Sequence, residues 1–211
     1  MKRNAFKGLI CFLMAFSAAT LFAQNATLDS VCESLTKNTV TTGNFTQEKK
    51  LPSVKRALKS YGTFVFCKDG IVWNTTRPVK SSLAVTSTKL VQFTPDGKQT
   101  VLDGADNAIF KSIAQTVTAL FSGDKAALEK NFTVSFSSTA NTWTMSLTPK
   151  DKTIAAVMKT ITLSGSGNAA SSSFDSLAVE QQDGSSVTYT FTEQQYKEVL
   201  SNEEKAFFAA K

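Results

Sequence analysis

Histidine is absent from all 211 residues, which removes the commonest zinc ligand and the usual base beside a serine or cysteine nucleophile. Cysteine is scarce, at three, and neither Cys32 nor Cys67 stands in a setting that would make it a nucleophile. The sequence also lacks a set of metal ligands, a phosphate-cradling glycine loop and a serine triad able to work without histidine. Its acids are scattered. Asp103, Asp106 and Asp124 fall in loops and at helix starts, where a carboxylate serves as a cap. These absences argue against an enzyme and against a metal or organic cofactor, and direct attention to binding.

Long apolar runs are missing after the first two dozen residues. Lys2, Arg3 and Lys7 precede an almost wholly apolar stretch from Gly8 to Phe22, and Ala23-Gln24 closes it. This is the layout of a secretory signal peptide, with cleavage expected after Ala23 and a single domain from Gln24 to Lys211. Cys11 lies inside the run, but it follows Ile10 rather than Gly or Ala, which argues against a lipid-modified N-terminus. Removing residues 1–23 takes three of the 23 Lys and Arg and none of the 17 Asp and Glu, so the formal charge drops from +6 to +3. Much of that charge lies in Lys49, Lys50, Lys55, Arg56 and Lys59, a run free of acids. It reads as a solvated loop or as a dock for anionic headgroups or an acidic partner. Nucleic acid is not expected as a ligand. An oxidising compartment permits a Cys32–Cys67 disulfide, and the sequence leaves it open, because both cysteines also suit apolar packing.

What is present in abundance is strand pattern. Leu28, Val31, Cys32 and Leu35 recur at helical spacing and predict a first helix over Thr27–Leu35. Strands are then expected over Gly43–Leu51, Leu58–Cys67, Ile71–Thr75, Ser81–Thr86, Lys89–Thr94 and Lys98–Leu102, with turns at Lys68-Asp69-Gly70 and Pro95-Asp96-Gly97. From Ala105 to Ser122 the period changes to that of a helix closed by Gly123. Ile109, Ile113, Val117 and Leu120 form one stripe and Phe110, Ala114, Val117 and Phe121 an adjacent one. The apolar arc exceeds the roughly 100° that a surface helix needs, so burial on two sides or contact with an apolar guest is expected. Further strands are predicted over Phe132–Phe136, Thr142–Leu147, Ile161–Ser164, Phe174–Gln181 and Ser186–Phe191. The Ser/Gly/Ala-rich stretch from Ser164 to Ser173 reads as a mobile hairpin loop. Thr192 with Gln195 and Ser201 with Glu204 look like capping boxes that would make helices, but the sequence leaves the tail open between helix and strand. The whole is a mainly β chain with helices (α+β): a curved antiparallel sheet forming a half-open barrel around them.

Phe45-Thr46-Gln47, then Gly62-Thr63-Phe64, then Trp73 with Pro78 five residues on, and finally Ala178-Val179-Glu180-Gln181, resemble in order and spacing the outer-membrane lipoprotein carrier (LolA) family over roughly Leu28 to Phe191. The resemblance implies a half-open barrel whose mouth is plugged by helices, with an apolar cavity between, in a monomer free in the periplasm. It implies acylated lipoproteins as cargo, an inner-membrane ABC-type extractor as donor and an outer-membrane acceptor as recipient. Phe64, Phe66, Ile71 and Trp73 would then line the acyl cavity, with Ile109, Phe110 and Ile113 on the lid side, although aromatic residues at strand spacing also suit an ordinary core. The family's carriers place an Arg-Pro just after the second strand to hold the lid. Here the segment reads Cys67-Lys68-Asp69-Gly70, which leaves Lys68 as the cation available for lid and release control. A carrier of another amphiphile, glycolipid or phospholipid, and a structural protein whose half-barrel is filled by its own side chains remain the alternatives.

Overall fold

The computed structural model describes residues 25–86, 89–96, 98–102 and 108–209, less the side chains of 102, 108–111 and 117. The expected signal peptide, Gly97, Asp103 and Asp106 lie outside the described residues.

Helix α1 (Leu28–Thr36) starts where Thr27 and Ser30 cap one another, the Thr27 hydroxyl accepting from the Ser30 amide at 3.1 Å and the Ser30 hydroxyl from the Thr27 amide at 2.8 Å. Strands β1 (Val40–Lys50), β2 (Leu58–Cys67), β3 (Gly70–Arg77), β4 (Ser81–Val85), β5 (Leu90–Phe93) and β6 (Gln99–Leu102) follow as an antiparallel meander. The β2–β3 turn needs its glycine. Gly70 sits at φ 141°, and a Cβ there would lie 2.0 Å from the Val85 carbonyl oxygen. After helices α2 (Ala108–Ser122) and α3 (Lys125–Asn131) come β7 (Phe132–Ser138), β8 (Thr142–Pro149), the single turn α4 (Lys152–Ala155), β9 (Met158–Ser166), β10 (Ser176–Gln181) and β11 (Ser186–Lys197). Helix α5 (Asn202–Ala209) ends the described chain.

All eleven strands form one antiparallel sheet in the order β6-β5-β4-β3-β2-β1-β11-β10-β9-β8-β7. The first and last strands pair at its centre, Phe45 opposite Phe191 and Gln47 opposite Tyr189. The two edges, β6 and β7, are therefore consecutive in the chain, and the segment joining them carries α2 and α3. Helix α2 packs against β2, β3, β4 and α1, so it lies on the sheet rather than beside it.

The two halves of the sheet are buried differently. In β8, Trp143, Met145 and Leu147 are buried and alternate with Thr142 and Thr144, which are exposed: one face packs and the other is wet. In β2 and β3, Phe64, Phe66, Ile71 and Trp73 face the concave core, while Val65, Cys67 and Val72 join Val40, Ala84 and Val91 in a second cluster on the outer face. Leu200, Phe207 and Phe208 at the C-terminus cover that cluster, with Phe207 edge-on to Phe93 at 5.2 Å. This explains why β2 reads apolar from Phe64 through Cys67 instead of alternating.

Several expectations are corrected here. The Thr192–Gln195 capping box does not form, because β11 continues to Lys197 paired with β1. The Ser201–Glu204 box does form, the Ser201 amide donating to the Glu204 carboxylate at 2.7 Å. Helices α3 and α4 went unread. Each is short and starts from an aspartate cap: Asp124 accepts from the Ala127 amide at 2.9 Å, and Asp151 from the Thr153 and Ile154 amides. The Ser/Gly-rich stretch is pinned rather than loose. Gly167 bridges Ser172, whose amide donates to Ser34 of α1 at 2.8 Å. Cys32 and Cys67 are both buried and free; Cys32 packs in the concave core and Cys67 in the outer-face cluster, on opposite faces of the sheet. Burial pushes the Cys32 thiol up to about 11, with Asp29 adding to the shift, and raises that of Cys67, so neither is a reactive thiolate near neutral pH.

The two thiols thus report separately on the two faces. In a Phe207→Ala, Phe208→Ala double variant, thiol labelling should accelerate several-fold at Cys67 and stay slow at Cys32, as peptide mapping of the labelled protein would show. Equal acceleration at both would mean that α5 supports the whole fold and not just the outer face.

Candidate functional site

The concave face carries a continuous wall of rings with Phe66 at its centre. Its ring lies 4.5 Å from Phe64, 5.1 Å from Phe191, 5.4 Å from Phe121 of α2, 5.8 Å from Phe174 and 6.4 Å from Trp73, mostly tilted or edge-on. Gly43, opposite Phe64 on β1, makes room for it: a Cβ there would lie 2.8 Å from the Phe64 ring. Trp73 on β3 lies 5.5 Å from Tyr189 on β11, although β2 and β1 stand between them. In a flat sheet those strands would be roughly 14 Å apart at ~4.8 Å per strand, so the sheet curls tightly enough for opposite walls of the hollow to touch.

Five of the seven expected cavity residues are thereby brought together. Phe64, Phe66, Ile71 and Trp73 from the sheet and Ile113 from α2 share one core and are at most 4 % exposed. They pack on one another, so in this state the hollow is filled at these positions by the protein's own side chains. Ile109 and Phe110 lie on the first turns of α2, and their side chains are outside the described residues. Lys68 is not part of the group. Its side chain is 79 % exposed at the β2–β3 turn, 3.5 Å from the Asp69 carboxylate, and no hydrogen bond joins it to α2 among the described residues. Gln47, of the family-like run on β1, is half-buried and makes no hydrogen bond with its side chain among the described residues.

Sequence reasoning missed Phe174, Tyr189 and Phe191, which complete the wall from the other half of the sheet. The signal was available, since Tyr189 and Phe191 alternate along β11 and face Gln47 and Phe45 in register. Burial pushes the Tyr189 hydroxyl up to about 12, so the wall stays uncharged throughout the physiological range. Three polar atoms inside the fold have no hydrogen-bond partner among the described residues: Trp73 Nε1, Thr116 Oγ1 on α2 and Thr41 Oγ1 on β1. An unpaired buried polar group costs about 1–3 kcal/mol, so a guest able to pair with these atoms would gain from doing so.

The family model for the outer membrane lipoprotein carrier protein LolA matches residues 36–207, which spans β1 through most of α5. The chain belongs to the LolA family. Solved structures align with the chain at low identity. A LolA-superfamily protein from Nitrosomonas europaea aligns with TM-score 0.46 and 9 % identity over 87 % of this chain and 96 % of that one. A DUF1329-family protein from Desulfovibrio piger aligns with TM-score 0.48 and 10 % identity over 86 % and 94 %. The lipoprotein LppX of Mycobacterium tuberculosis aligns with TM-score 0.40 and 9 % identity over 82 % and 96 %. No curated protein matches the sequence. The eleven-stranded open sheet with its helices is the architecture expected from the LolA resemblance. Among the described residues no helix is long and apolar enough to cross a membrane.

Phe66 and Trp73 separate packing from polarity in this LolA-family core. Phe66→Ala should cost about 3–5 kcal/mol in urea unfolding, as expected for a fully buried ring. Trp73→Phe should cost less than about 1.5 kcal/mol, because the volume lost is partly offset by removal of an unpaired N–H. A Phe66→Ala cost below about 1 kcal/mol would mean that the interior is open rather than filled.

Proposed function

We propose that the protein is a periplasmic chaperone that takes the acyl chains of lipoproteins into its concave interior and carries them from the inner to the outer membrane, and that it acts as a carrier, not an enzyme. The single observation that carries this reading is the aromatic wall of β2, β3 and β11 closed by α2, in a chain of the LolA family. The apolar N-terminal segment supports export from the cytoplasm. The partners would be an inner-membrane ABC-type extractor, the acylated lipoprotein itself and an outer-membrane acceptor.

The energetics favour a lid that cargo can open. Lifting α2 exposes Ile113, Leu120 and Phe121, at about 1.5–3 kcal/mol each, so opening costs of order 5–9 kcal/mol. One sixteen-carbon chain removed from water returns over 10 kcal/mol at ~0.8 kcal/mol per methylene, enough to drive the opening alone. The empty protein keeps its wall covered, and cargo opens it by replacing ring-to-ring contacts with ring-to-chain ones. The buried Trp73 N–H and Thr116 hydroxyl would gain partners from the ester or amide carbonyls next to the chains. The same wall would accept a glycolipid or phospholipid chain, and the side chains that fill it also fit a purely structural half-barrel, so the cargo itself decides.

Purification from the native source without detergent, followed by mass spectrometry of whatever apolar material accompanies the protein, tests the reading. Acylated protein should co-purify with the wild type and be lost from Trp73→Ala. Free lipid alone would favour a lipid carrier. An empty protein that takes up neither lipid nor an apolar dye would overturn the carrier reading in favour of the filled half-barrel.

A further inference from the structure

The loops at one end of the strands carry a surface that the interior does not explain. Strand β2 pairs with β1 on one side and β3 on the other, Leu58 opposite Lys49 and Tyr61 opposite Arg77. The β1–β2 loop (51–57) and the β3–β4 connection (78–80) therefore emerge side by side at the same end of the sheet. Residues 49–59 contain five cations and no acid, and Arg77 and Lys80 add two more from the neighbouring connection. Lys49, Lys50, Lys55, Arg56 and Lys80 make no ion pair among the described residues; of the nearby acids Glu48 pairs with Lys59 at 2.6 Å, and Asp183, held by the Ser185 amide at 2.8 Å, leaves the cations in clear excess.

Between these cations stand bare apolar side chains. Val54 is 40 % exposed, Leu58 52 % and Val79 69 %, and they are three of the seven large hydrophobic residues so exposed among the described residues. Single exposed apolar residues are ordinary on a protein surface, but three on two adjoining acid-free loops form one patch. The opposite end of the same strands is of mixed sign, with Lys68 beside Asp69 and Lys197 beside Glu204, so the unbalanced positive charge is polarised along the strand direction. Leu58 also shares a strand face with Phe64 and Phe66, three and four steps of the alternation further along β2, which makes it the lip of the concave side.

We propose that this rim is a membrane-docking surface, seated on an anionic lipid bilayer with the cations over the headgroups and Val54, Leu58 and Val79 at the acyl boundary. A bilayer fits the pattern because it offers a continuous sheet of negative charge above an apolar layer, matching cations and apolar tips on the same loops. An acidic protein partner would satisfy the cations and leave the apolar tips unexplained. Docking in this pose turns the lip of the concave face toward the lipid. The surface does not depend on which cargo the interior takes, and its test uses no cargo.

The test is sedimentation of the chain from Gln24 onward, which holds the whole described fold, with vesicles of phosphatidylcholine alone or mixed with phosphatidylglycerol. Binding should require phosphatidylglycerol and weaken steeply with salt. Lys55→Glu with Arg56→Glu should reduce it at least tenfold while leaving the thermal midpoint in place, since both side chains are exposed. A Val79→Trp reporter should shift its fluorescence to the blue on phosphatidylglycerol vesicles. Equal binding to neutral vesicles, no binding to either, or indifference to the charge reversal would each overturn the proposal. So would binding to polyglutamate as tight as to the vesicles with no blue shift of the reporter, which would assign the rim to an acidic protein.

Discussion

Pairing of the first strand with the last is the constraint from which the rest of this architecture follows. Because β1 and β11 lie together at the middle of the sheet, its two unpaired edges belong to β6 and β7, neighbours in the chain. The sheet curls until Trp73 and Tyr189 touch across its hollow, yet it does not close, so its apolar concave face needs cover. The segment from β6 to β7 must pass from one edge to the other in any case. Making it an apolar helix supplies that cover with the chain that has to be there, and α2 accordingly packs on β2, β3 and β4.

A second consequence is that the two halves of the sheet differ in how firmly they are held. Strands β2 to β4 are covered by α2 on the concave side, and the outer face of β1 to β5 by α5 through Phe207 and Phe208. Strands β7 to β9 bury one face and turn Ser and Thr outward, as in β8. Half of the aromatic wall, Phe64, Phe66 and Trp73, belongs to the doubly covered strands, so a helix could leave the concave face while those strands stay supported from behind. The C-terminal helix is thus a brace for the wall, and Cys67 beneath it is an apolar filler, its thiol raised by burial.

Much of this was legible because the strands alternate. The spacing of Leu58–Cys67 predicts that strand with the bounds it has, Phe64 and Phe66 share one face of it, and Gly123 ends the broad helix. What escaped reading has a common physical cause, in that it depends on partners distant in sequence. The Thr192–Gln195 pair has the chemistry of a helix start, but pairing with β1 offers that backbone a full ladder, and local capping cannot compete. The outer-face cluster was hidden because its cover, Leu200 to Phe208, comes over a hundred residues after the strands it covers. Whether Cys32 and Cys67 could bond was open for the same reason, since only the fold puts the sheet between them.

Filling the hollow with its own rings also sets how tightly a carrier of this design can hold on. An empty apolar cavity would bind an acyl chain with nearly the whole transfer energy, and each extra ~1.4 kcal/mol of affinity slows release about tenfold when the on-rate is unchanged. In the proposed carrier Phe66 would have its five ring neighbours to return to when cargo left, so the closed state would compete with the ligand and lower the net affinity by the cost of opening. Trp73 Nε1 and Thr116 Oγ1, buried without a partner among the described residues, would work the other way by favouring a guest able to pair with them. On that reading retention and release would be set by two opposing terms in the same core.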